Sequence, residues 1–374
     1  MAKRKSNNQH ADRIKALRTA MSDAGVDTLI VTNPIDVAYL TGFLGGDSYM
    51  VVGLSGKPWI ISDFRYEEEL EPQHDLCKVG MRTGSIWDAT AKAIAMGTEP
   101  KAVGYQGEHL TISGLNHTKH AFKAHKLKTS LLTPTFNLVT TLRETKDTSE
   151  IRSTSAAIKI QEEALEATLP QIKFGMTELE VCAILEYEMK VRGSTKPAFT
   201  TIVAAQANGS LPHYRPAHAT VKRGQPLLID WGALHNGYHG DMTRTFCFGR
   251  WPAELKEIYK IVLDAQMASA DALAPGKSTR EIDDIARGII KKAGYGDHFG
   301  HGLGHSMGLE VHENPRLSNM TGEVIIKPGM IFTVEPGIYI PGLGGVRIED
   351  DYVVTERGRR NLSSLPKDLA FASR

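Results

Sequence analysis

The part of the chain that decides its fold is the stretch LLIDWGALHNGYHGDMTRTF, residues 227–246. An apolar run ends at Asp230, a turn follows at His235-Asn236-Gly237, and the returning run contains Asp241. The two aspartates are nearly equidistant from that turn, and such residues come to lie roughly opposite each other in an antiparallel hairpin. Opposed residues share a face of the sheet, with Cβ atoms ~4.5–5.5 Å apart. The stretch therefore predicts two carboxylates that face each other.

A second stretch of the same kind covers residues 330–354. Glu335 ends an apolar run, residues 341–345 form a turn, and Glu349 lies in the returning run. Gly342 is midway between the two glutamates, so the same pairing is expected. Either register is open to an error of one residue, and such a slip moves a side chain to the other face of its strand.

The four carboxylates of these hairpins lie in otherwise apolar runs. Buried carboxylates in opposed pairs repel each other and resist ionisation, and a bound cation removes that conflict. Two divalent cations would balance the four carboxylates in formal charge. The alternative is a pair of unrelated acidic hairpins whose charged faces are solvated.

Three histidines fall within twelve residues, in the segment HGLGHSMGLEVH at 301–312. The glycines of this segment allow close backbone approach and argue against a helix. The spacing also differs from the His-Glu-x-x-His helix of zinc peptidases. A single histidine is usually structural, whereas His301, His305 and His312 together form a candidate site cluster. His213 lies in a turn-like stretch after Asn208 and in isolation indicates little.

The composition excludes several classes of protein. The 374 residues suggest about two domains at ~150 residues each, and 44 Lys+Arg against 43 Asp+Glu leave a formal charge of +1. This balance argues against a nucleic-acid binder, and no apolar run approaches the ~18–20 residues that span a bilayer. The cysteines Cys77, Cys182 and Cys247 form no Cys-x-x-Cys pair, which favours reduced thiols in a cytoplasmic protein.

The chain is expected to divide near residue 146. Before that point helix and strand signals alternate as in an α/β domain, without a Gly-x-Gly-x-x-Gly or P-loop motif. After it, Asp147, Thr177 and Ser278 are each followed three positions later by a glutamate, which predicts three helices that begin with a capping box. We therefore expect an N-terminal domain at residues 1–145 and a catalytic domain at residues 146–374.

Four motifs together resemble the creatinase/prolidase/aminopeptidase P family, the M24 metallopeptidases. They are DxGA…NGYxxDMTRT at 230–245, HGxGHxxGLxVHE at 301–313, VEPGxY at 334–339 and GVRIED at 345–350. Residues 29–43 look like the N-terminal domain of that family. The resemblance implies an α/β N-terminal domain followed by an α+β catalytic domain of the pita-bread fold, which has a pseudo-twofold antiparallel sheet.

The resemblance also implies a dinuclear metal site. Its five ligands would be Asp230, Asp241, His305, Glu335 and Glu349, with Asp241 and Glu349 bridging two divalent ions. Asp230 would complete the ligands of one ion, and His305 with Glu335 would complete the ligands of the other. An oxygen-rich site with one imidazole suits Mn²⁺, with Co²⁺ or Zn²⁺ as alternatives.

Further side chains take part in catalysis by the same resemblance. His213 and His312 would donate hydrogen bonds to the tetrahedral intermediate, and His301 would line the pocket near the prolyl ring. Glu335 would carry a proton from the nucleophile to the leaving nitrogen. Arg347 shares a strand face with the second bridging carboxylate. It either orients the ligands or forms a structural ion pair.

The activity implied is hydrolysis of the peptide bond between an N-terminal residue and proline. Two ions that share a water lower its pKa and hold hydroxide for attack on the scissile carbonyl. The enzyme would be an Xaa-Pro dipeptidase or an Xaa-Pro aminopeptidase. A dipeptidase needs a cation for the C-terminal carboxylate of its substrate, and Arg316 and Arg347 are candidates.

The expected partners are a small peptide with proline second and, as in relatives, a second copy of the chain; neither nucleic acid nor a membrane is expected. Two alternatives remain open. A creatinase-like amidinohydrolase of the same fold works without metal, so the complete ligand set would have no purpose there. An inactive pita-bread module that binds proteins would be expected to lose ligands, and this chain has lost none.

Overall fold

The computed structural model describes residues 2–374, with side chains from residue 9 onward. The chain divides after Arg143 into two compact units. The helices and strands of the first unit are α1 (Ala2–Asp23), β1 (Thr28–Val31), α2 (Pro34–Thr41), β2 (Tyr49–Gly53), β3 (Trp59–Ser62), α3 (Glu67–Leu70), β4 (Lys78–Met81), α4 (Ile86–Ala95), β5 (Val103–Gln106), α5 (Ile112–Ala124), β6 (Leu132–Thr135) and α6 (Thr140–Arg143).

The first unit is built on a six-stranded mixed sheet with the order β4-β3-β2-β1-β5-β6. Strand β1 runs antiparallel to β2 and parallel to β5. Strands β2 and β3 pair antiparallel as a hairpin. Helix α1 buries Ile14, Leu17 and Met21, the stripe that its periodicity predicts.

Helix α2 forms in a stretch where the sequence indicates only the end of a strand. Asn33-Pro34 predicts the end of β1, and the same two residues also start the helix. The Asn33 side chain accepts a hydrogen bond from Ile35 N, and Pro34 occupies the first turn, where a missing N–H is harmless. Gly42 ends the helix in the left-handed conformation, with φ 78°.

The second unit carries the acidic hairpins. Its helices and strands are α7 (Thr148–Thr168), α8 (Glu178–Val191), β7 (Lys196–Pro197), β8 (Ile202–Ala205), β9 (Pro226–Trp231), β10 (Ala233–His235), β11 (Tyr238–His239), β12 (Met242–Cys247), α9 (Ala253–Ala272), α10 (Thr279–Lys292), β13 (Gly304–Ser306), β14 (Glu313–Leu317), β15 (Ile331–Val334), β16 (Gly337–Ile340), β17 (Gly344–Arg347), β18 (Asp350–Thr355), β19 (Gly358–Asn361) and α11 (Leu369–Ala372).

The three predicted capping boxes are confirmed. Asp147, Thr177 and Ser278 each cap a helix, and the glutamate at the third helical position returns a hydrogen bond to the backbone of the cap. Helices α8 and α10 are followed by Gly193 and Gly294 with φ 102° and 91°.

The helices pack in two pairs on the two halves of this unit. Helices α7 and α8 share one apolar cluster with β9 and β12. Helices α9 and α10 share another with the residues of β15 to β18. Each acidic hairpin therefore has one face against a helix pair, which leaves its other face for the carboxylates. Across residues 2–374, no helix is both long and apolar enough to cross a lipid bilayer.

Candidate metal centre and active site

The first acidic hairpin does not have the register that its sequence predicts. Asp230 pairs with Thr243, and Asp241 lies just before β12, so the two aspartates are diagonal neighbours and are not directly opposite. The cause is a two-residue turn at Asn236-Gly237, where φ is 50° and 82°. A turn of this length fixes the register of its hairpin. The expected pairing of the aspartates is wrong by two residues, although the period of two keeps both carboxylates on one face.

The second acidic hairpin has the predicted register. One ladder ends with Val334 paired to Asp350, and the next ladder, between β16 and β17, continues in the same register. Glu335 and Glu349 therefore face each other in the gap between the two ladders. This is the pairing that the midway position of Gly342 predicts.

His305 reaches both hairpins from strand β13. Its Nε2 lies 3.6 Å from Oδ2 of Asp241 and 3.4 Å from Oε1 of Glu335. One potential ligand atom from each of Asp241, His305 and Glu349 lies within 4.8 Å of the other two. These three side chains come from three separate strand segments, and they meet in a buried position that can hold a metal ion.

The approach of β13 to β15 depends on Gly304. A Cβ at this position would lie 2.1 Å from the carbonyl oxygen of Thr333, so only glycine fits. Thr333 then fixes the histidine. Its Oγ1 accepts a hydrogen bond from His305 N at 3.1 Å and donates one to Oε1 of Glu335 at 3.4 Å.

The carboxylates lie too close together for all of them to ionise without a cation. Burial raises the pKa of Asp241 and of Glu349 well above the usual range, and repulsion by the neighbouring carboxylates adds to the effect. Burial raises the pKa of Glu335 to about 8. Burial also lowers the pKa of His305 to about 3, so this imidazole is neutral at pH 7, as a metal ligand must be.

Two buried carboxylate oxygens of the cluster have no hydrogen-bond donor among the described residues. In the part of the chain that the structure describes, Oδ1 of Asp230 and Oε1 of Glu349 are buried and accept no hydrogen bond. Such an oxygen carries a desolvation cost that a divalent cation removes. Four carboxylates and one imidazole fit Mn²⁺ or Co²⁺, whereas a structural zinc site is usually built from cysteine and histidine.

Arg347 connects the carboxylates to the wall of the site. Its buried guanidinium donates hydrogen bonds to Oδ2 of Asp230 (2.5 Å), Oγ1 of Thr243 (2.9 Å) and the hydroxyl of Tyr339 (2.9 Å). Thr243 donates in turn to Oε2 of Glu349 at 2.7 Å. Arg347 therefore forms an ion pair with one carboxylate and, through Thr243, orients a second.

His301 is held at the far side of Tyr339. Its Nε2 is hydrogen-bonded to the Tyr339 hydroxyl at 2.8 Å, and Arg287 donates to its carbonyl oxygen at 2.8 Å. Burial lowers the pKa of His301 to about 4, and the nearby Arg347 adds to that effect. The ring is therefore neutral at pH 7, and its orientation is fixed.

Three site residues escaped sequence reasoning. Thr243 lies two positions after Asp241, and Thr333 lies two positions before Glu335. The period of a strand puts each threonine on the face of its carboxylate, so the spacing could have identified both. Tyr339 offers no such signal, because Arg347 reaches it only through the pairing of β16 with β17 and His301 comes from outside both strands.

The predicted site residues line one cavity of about 610 Å³. The carboxylates are buried or nearly so, whereas His213, His312 and Arg316 are exposed on its wall. The rings of His305 and His312 meet edge to face, with centroids 4.4 Å apart. The nine residues predicted as ligands or catalytic groups that line this cavity are His213, Asp230, Asp241, His301, His305, His312, Glu335, Arg347 and Glu349.

Comparisons with known proteins identify a family for both parts of the chain. Residues 152–356 match the model of metallopeptidase family M24, and residues 13–145 match that of the creatinase/prolidase N-terminal domain. The Xaa-Pro dipeptidase of Pyrococcus furiosus is 36% identical over 360 residues, which cover 96% of this chain and 99% of that protein.

Two solved structures share the whole fold. An Xaa-Pro dipeptidase from Bacillus anthracis superposes with a TM-score of 0.91 at 36% identity, covering 96% of this chain and 99% of its own. An X-Pro aminopeptidase from Thermotoga maritima gives a TM-score of 0.85 at 34% identity, covering 92% and 97%. The predicted fold, two domains of which the second is a pita-bread domain, is confirmed.

Proposed function

Because the chain belongs to metallopeptidase family M24, we propose that it hydrolyses the peptide bond between an N-terminal residue and a following proline. The observation that carries this proposal is the convergence of four carboxylates and one neutral imidazole in a single cavity. The names of the relatives supply the substrate class, since Xaa-Pro dipeptidases align with nearly the whole chain.

In this proposal two divalent ions, Mn²⁺ in the first instance and Co²⁺ or Zn²⁺ as alternatives, occupy the carboxylate cluster. Asp230, Asp241, His305, Glu335 and Glu349 would hold these ions, and Asp241, His305 and Glu349 already place potential ligand atoms within 4.8 Å of one another. The ions, when bound, supply the Lewis acidity that activates the attacking water and polarises the scissile carbonyl. The unpartnered oxygens of Asp230 and Glu349 support this assignment.

Side chains of the protein transfer the proton to the leaving nitrogen and stabilise the negative charge that develops on the carbonyl oxygen. An amine is a far better leaving group than an amide anion, so the nitrogen of the scissile bond must receive a proton as it leaves. Glu335 lines the cavity beside His305 and transfers a proton from the attacking water to that nitrogen. His213 and His312 donate hydrogen bonds to the oxygen of the tetrahedral intermediate. His301, fixed by Tyr339, lies against the prolyl ring.

The basic residues of the cavity favour a dipeptidase. Arg347 is buried, and its guanidinium donates to Asp230, Thr243 and Tyr339, so we assign it to holding these side chains in place. Arg316 is exposed on the cavity wall and can bind the C-terminal carboxylate of a dipeptide. This leaves Arg316, of the two predicted candidates, as the carboxylate partner.

One experiment tests the activity and its length preference together. Ala-Pro and Ala-Pro-Ala are compared as substrates, with the metal content measured on the same sample. We expect cleavage of Ala-Pro in preference to the tripeptide, loss of activity on chelation and recovery with Mn²⁺. Full activity in a metal-free preparation would overturn the metal mechanism, and preferential cleavage of the tripeptide would show an aminopeptidase.

We also propose a cytoplasmic location and a homodimer. The three cysteines are free thiols, two of them buried, which is compatible with a reducing compartment. Light scattering of the purified chain tests the dimer: a mass twice that of the 41.0 kDa chain is expected, and a monomer contradicts it.

A further inference from the structure

Glu178 is a buried carboxylate that the proposed chemistry does not use. It is the first residue of α8 and is 0% exposed. The positive end of the helix dipole favours a negative charge at this position. The feature that distinguishes Glu178 from a simple capping residue is the set of hydrogen bonds that its two oxygens accept.

All four hydrogen bonds come from one short segment of chain. Oε1 accepts from Ala205 N (2.7 Å) and Asn208 Nδ2 (2.9 Å). Oε2 accepts from the hydroxyl of Tyr214 (2.8 Å) and from Ala217 N (3.0 Å). The amide of Asn208 also donates to the Tyr214 hydroxyl at 2.8 Å, which links two of the donors. We name residues 205–217 the His213 segment.

The His213 segment contains little regular structure of its own. It has one 3₁₀ turn, Gln206–Ser210, and internal backbone bonds such as Tyr214 N to Leu211 O at 3.1 Å. Its backbone is bonded to distant residues at its two ends, where Ala205 pairs with Leu227 and Ala217 O accepts from Leu179 N. His213 itself is exposed on the wall of the cavity. An exposed imidazole on an irregular segment samples several positions unless the backbone beneath it is anchored.

Tyr214 is adjacent to His213 in the chain, so a contact that restrains Tyr214 also restrains the backbone of His213. The Tyr214 ring packs against the apolar cluster of Ile202, Ala204 and Leu228, while its hydroxyl reaches Glu178. The tyrosine is therefore held at both ends of its side chain. Hydrogen bonds to a carboxylate are about twice as strong as bonds between neutral groups, so Glu178 is a firm point of attachment.

We propose that Glu178 is a positioning residue for His213. By holding the His213 segment at four points, it aims the imidazole at the place where negative charge develops on the substrate oxygen. A donor that is already in place needs no reorganisation during the reaction, which is the basis of its catalytic value. The inference rests on the proposed function, in which His213 donates that hydrogen bond.

The test compares two buried glutamates. Glu178→Gln keeps the size of the side chain but replaces one acceptor oxygen with an NH₂ group, which cannot accept from the two donors that face it. Glu162→Gln is the control. Glu162 is also buried and also accepts bonds from a chain segment, namely from Ser364 N and Oγ and from Leu365 N, but that segment lines no part of the cavity.

The expected result is a loss in kcat that depends on His213. Removal of one such donor costs about 10²–10³-fold in kcat, so His213→Ala should lie in that range and Glu178→Gln should lose about tenfold or more. KM should change less than kcat, because the bond forms in the transition state. In the His213→Ala background, Glu178→Gln should cost less than about twofold. Glu162→Gln should retain kcat.

Hydrogen exchange provides a measurement that does not depend on activity. Glu178→Gln should accelerate amide exchange in residues 205–217 while the content of bound Mn²⁺ stays at the wild-type value. If Glu178→Gln does not fold, Asn208→Ala takes its place, since Asn208 lies outside the cavity lining and its change removes one of the four bonds. For this variant we expect a smaller loss of kcat, again only when His213 is present.

Two results would overturn the inference. One is an equal loss of kcat from Glu178→Gln, or from Asn208→Ala where that variant replaces it, with and without His213. The other is exchange in residues 205–217 that stays at the wild-type rate. Failure of the proposed function is distinguishable, because it would appear as absence of Ala-Pro cleavage by the wild-type enzyme, while the exchange measurement would still report on the anchor.

Discussion

Arg347 and Asp230 form a buried ion pair across 117 residues of sequence, with Nη2 of the arginine 2.5 Å from Oδ2 of the aspartate. The two residues belong to different acidic hairpins, so the pair joins the two halves of the metal centre. Within the described chain, Arg347 is the one cationic side chain that donates a hydrogen bond to a carboxylate among the predicted metal ligands. Burial raises the pKa of Asp230, and Arg347 opposes that effect.

Replacing Arg347 should damage both stability and metal binding. Arg347→Met leaves Asp230 buried without its cation, which typically costs about 3–5 kcal/mol in the free energy of unfolding. Loss of a group that orients metal ligands should weaken Mn²⁺ affinity or activity about 10–100-fold. Urea unfolding and Mn²⁺ titration measure the two effects.

The control for Arg347 is Arg359→Met. Arg359 pairs with Asp271, whose side chain is 69% exposed, and an exposed ion pair is worth at most about 1 kcal/mol. This variant should keep wild-type activity and Mn²⁺ affinity. Equal effects of the two substitutions would show that the Arg347 pair has no special role.

Asp241→Asn should separate metal binding from folding. The substitution keeps the shape of the side chain and removes one of the repelling carboxylates, so the metal-free variant should be at least as stable as the metal-free wild type. The variant should bind fewer Mn²⁺ ions per chain and lose activity. A ligand at about 100 times its Kd stabilises a protein by about 2.7 kcal/mol, and thermal unfolding with and without Mn²⁺ should show that gain reduced in the variant. An unchanged Mn²⁺ stoichiometry with full activity would contradict the assignment of Asp241.

Metal binding should release protons in a way that depends on pH. Burial raises the pKa of Glu335 from 4.5 to about 8, so the group is protonated at pH 6.5 in the metal-free protein. A raised carboxyl pKa contributes stability that is complete below pH 4.5 and is lost as the pH rises toward 8. Mn²⁺ must displace that proton.

Calorimetry in two buffers of different ionisation heat measures this release. We expect proton release at pH 6.5 that declines as the pH is raised above the pKa of Glu335, and less release in Glu335→Gln at pH 6.5. A heat of binding at pH 6.5 that is the same in both buffers would contradict the prediction.

Gly304 offers a steric test of the placement of His305. In Gly304→Ala the new Cβ would lie 2.1 Å from the carbonyl oxygen of Thr333, so β13 must move and carry His305 with it. Overpacking of this kind costs about 1–3 kcal/mol, and we expect Mn²⁺ affinity to fall at least about tenfold. Gly300→Ala is the control, because a Cβ there meets nothing within 4 Å. Wild-type Mn²⁺ affinity in Gly304→Ala would contradict the geometry.

Structural features that depend on a few neighbouring residues could be predicted from the sequence, because their cause is local. The capping box at Asp147 needs only the next three residues, and the structure forms it. The pairing of Glu335 with Glu349 follows from the length of one turn. The same argument placed Asp230 opposite Asp241 incorrectly, because the position of a turn must be known to a single residue.

The remaining features depend on contacts between distant segments. The hydrogen bond of Tyr339 to His301 joins residues 38 apart, and the bond of Glu178 to Tyr214 joins residues 36 apart. No periodicity or motif in a single sequence specifies such pairs, since they arise only when the strands have been paired. The roles of individual site residues remain predictions, although the structure places them in one cavity.

The different registers of the two acidic hairpins make the two halves of the proposed centre unequal. Glu335 and Glu349 face each other directly, Asp230 and Asp241 are offset diagonally, and the imidazole of His305 lies near one carboxylate of each pair, Asp241 and Glu335. Two positions with different ligands bind an ion with different affinities, so under the proposed two-ion site the enzyme fills in order. An enzyme with one ion bound is then a distinct state, and its fraction of the population depends on the concentration of free metal ion.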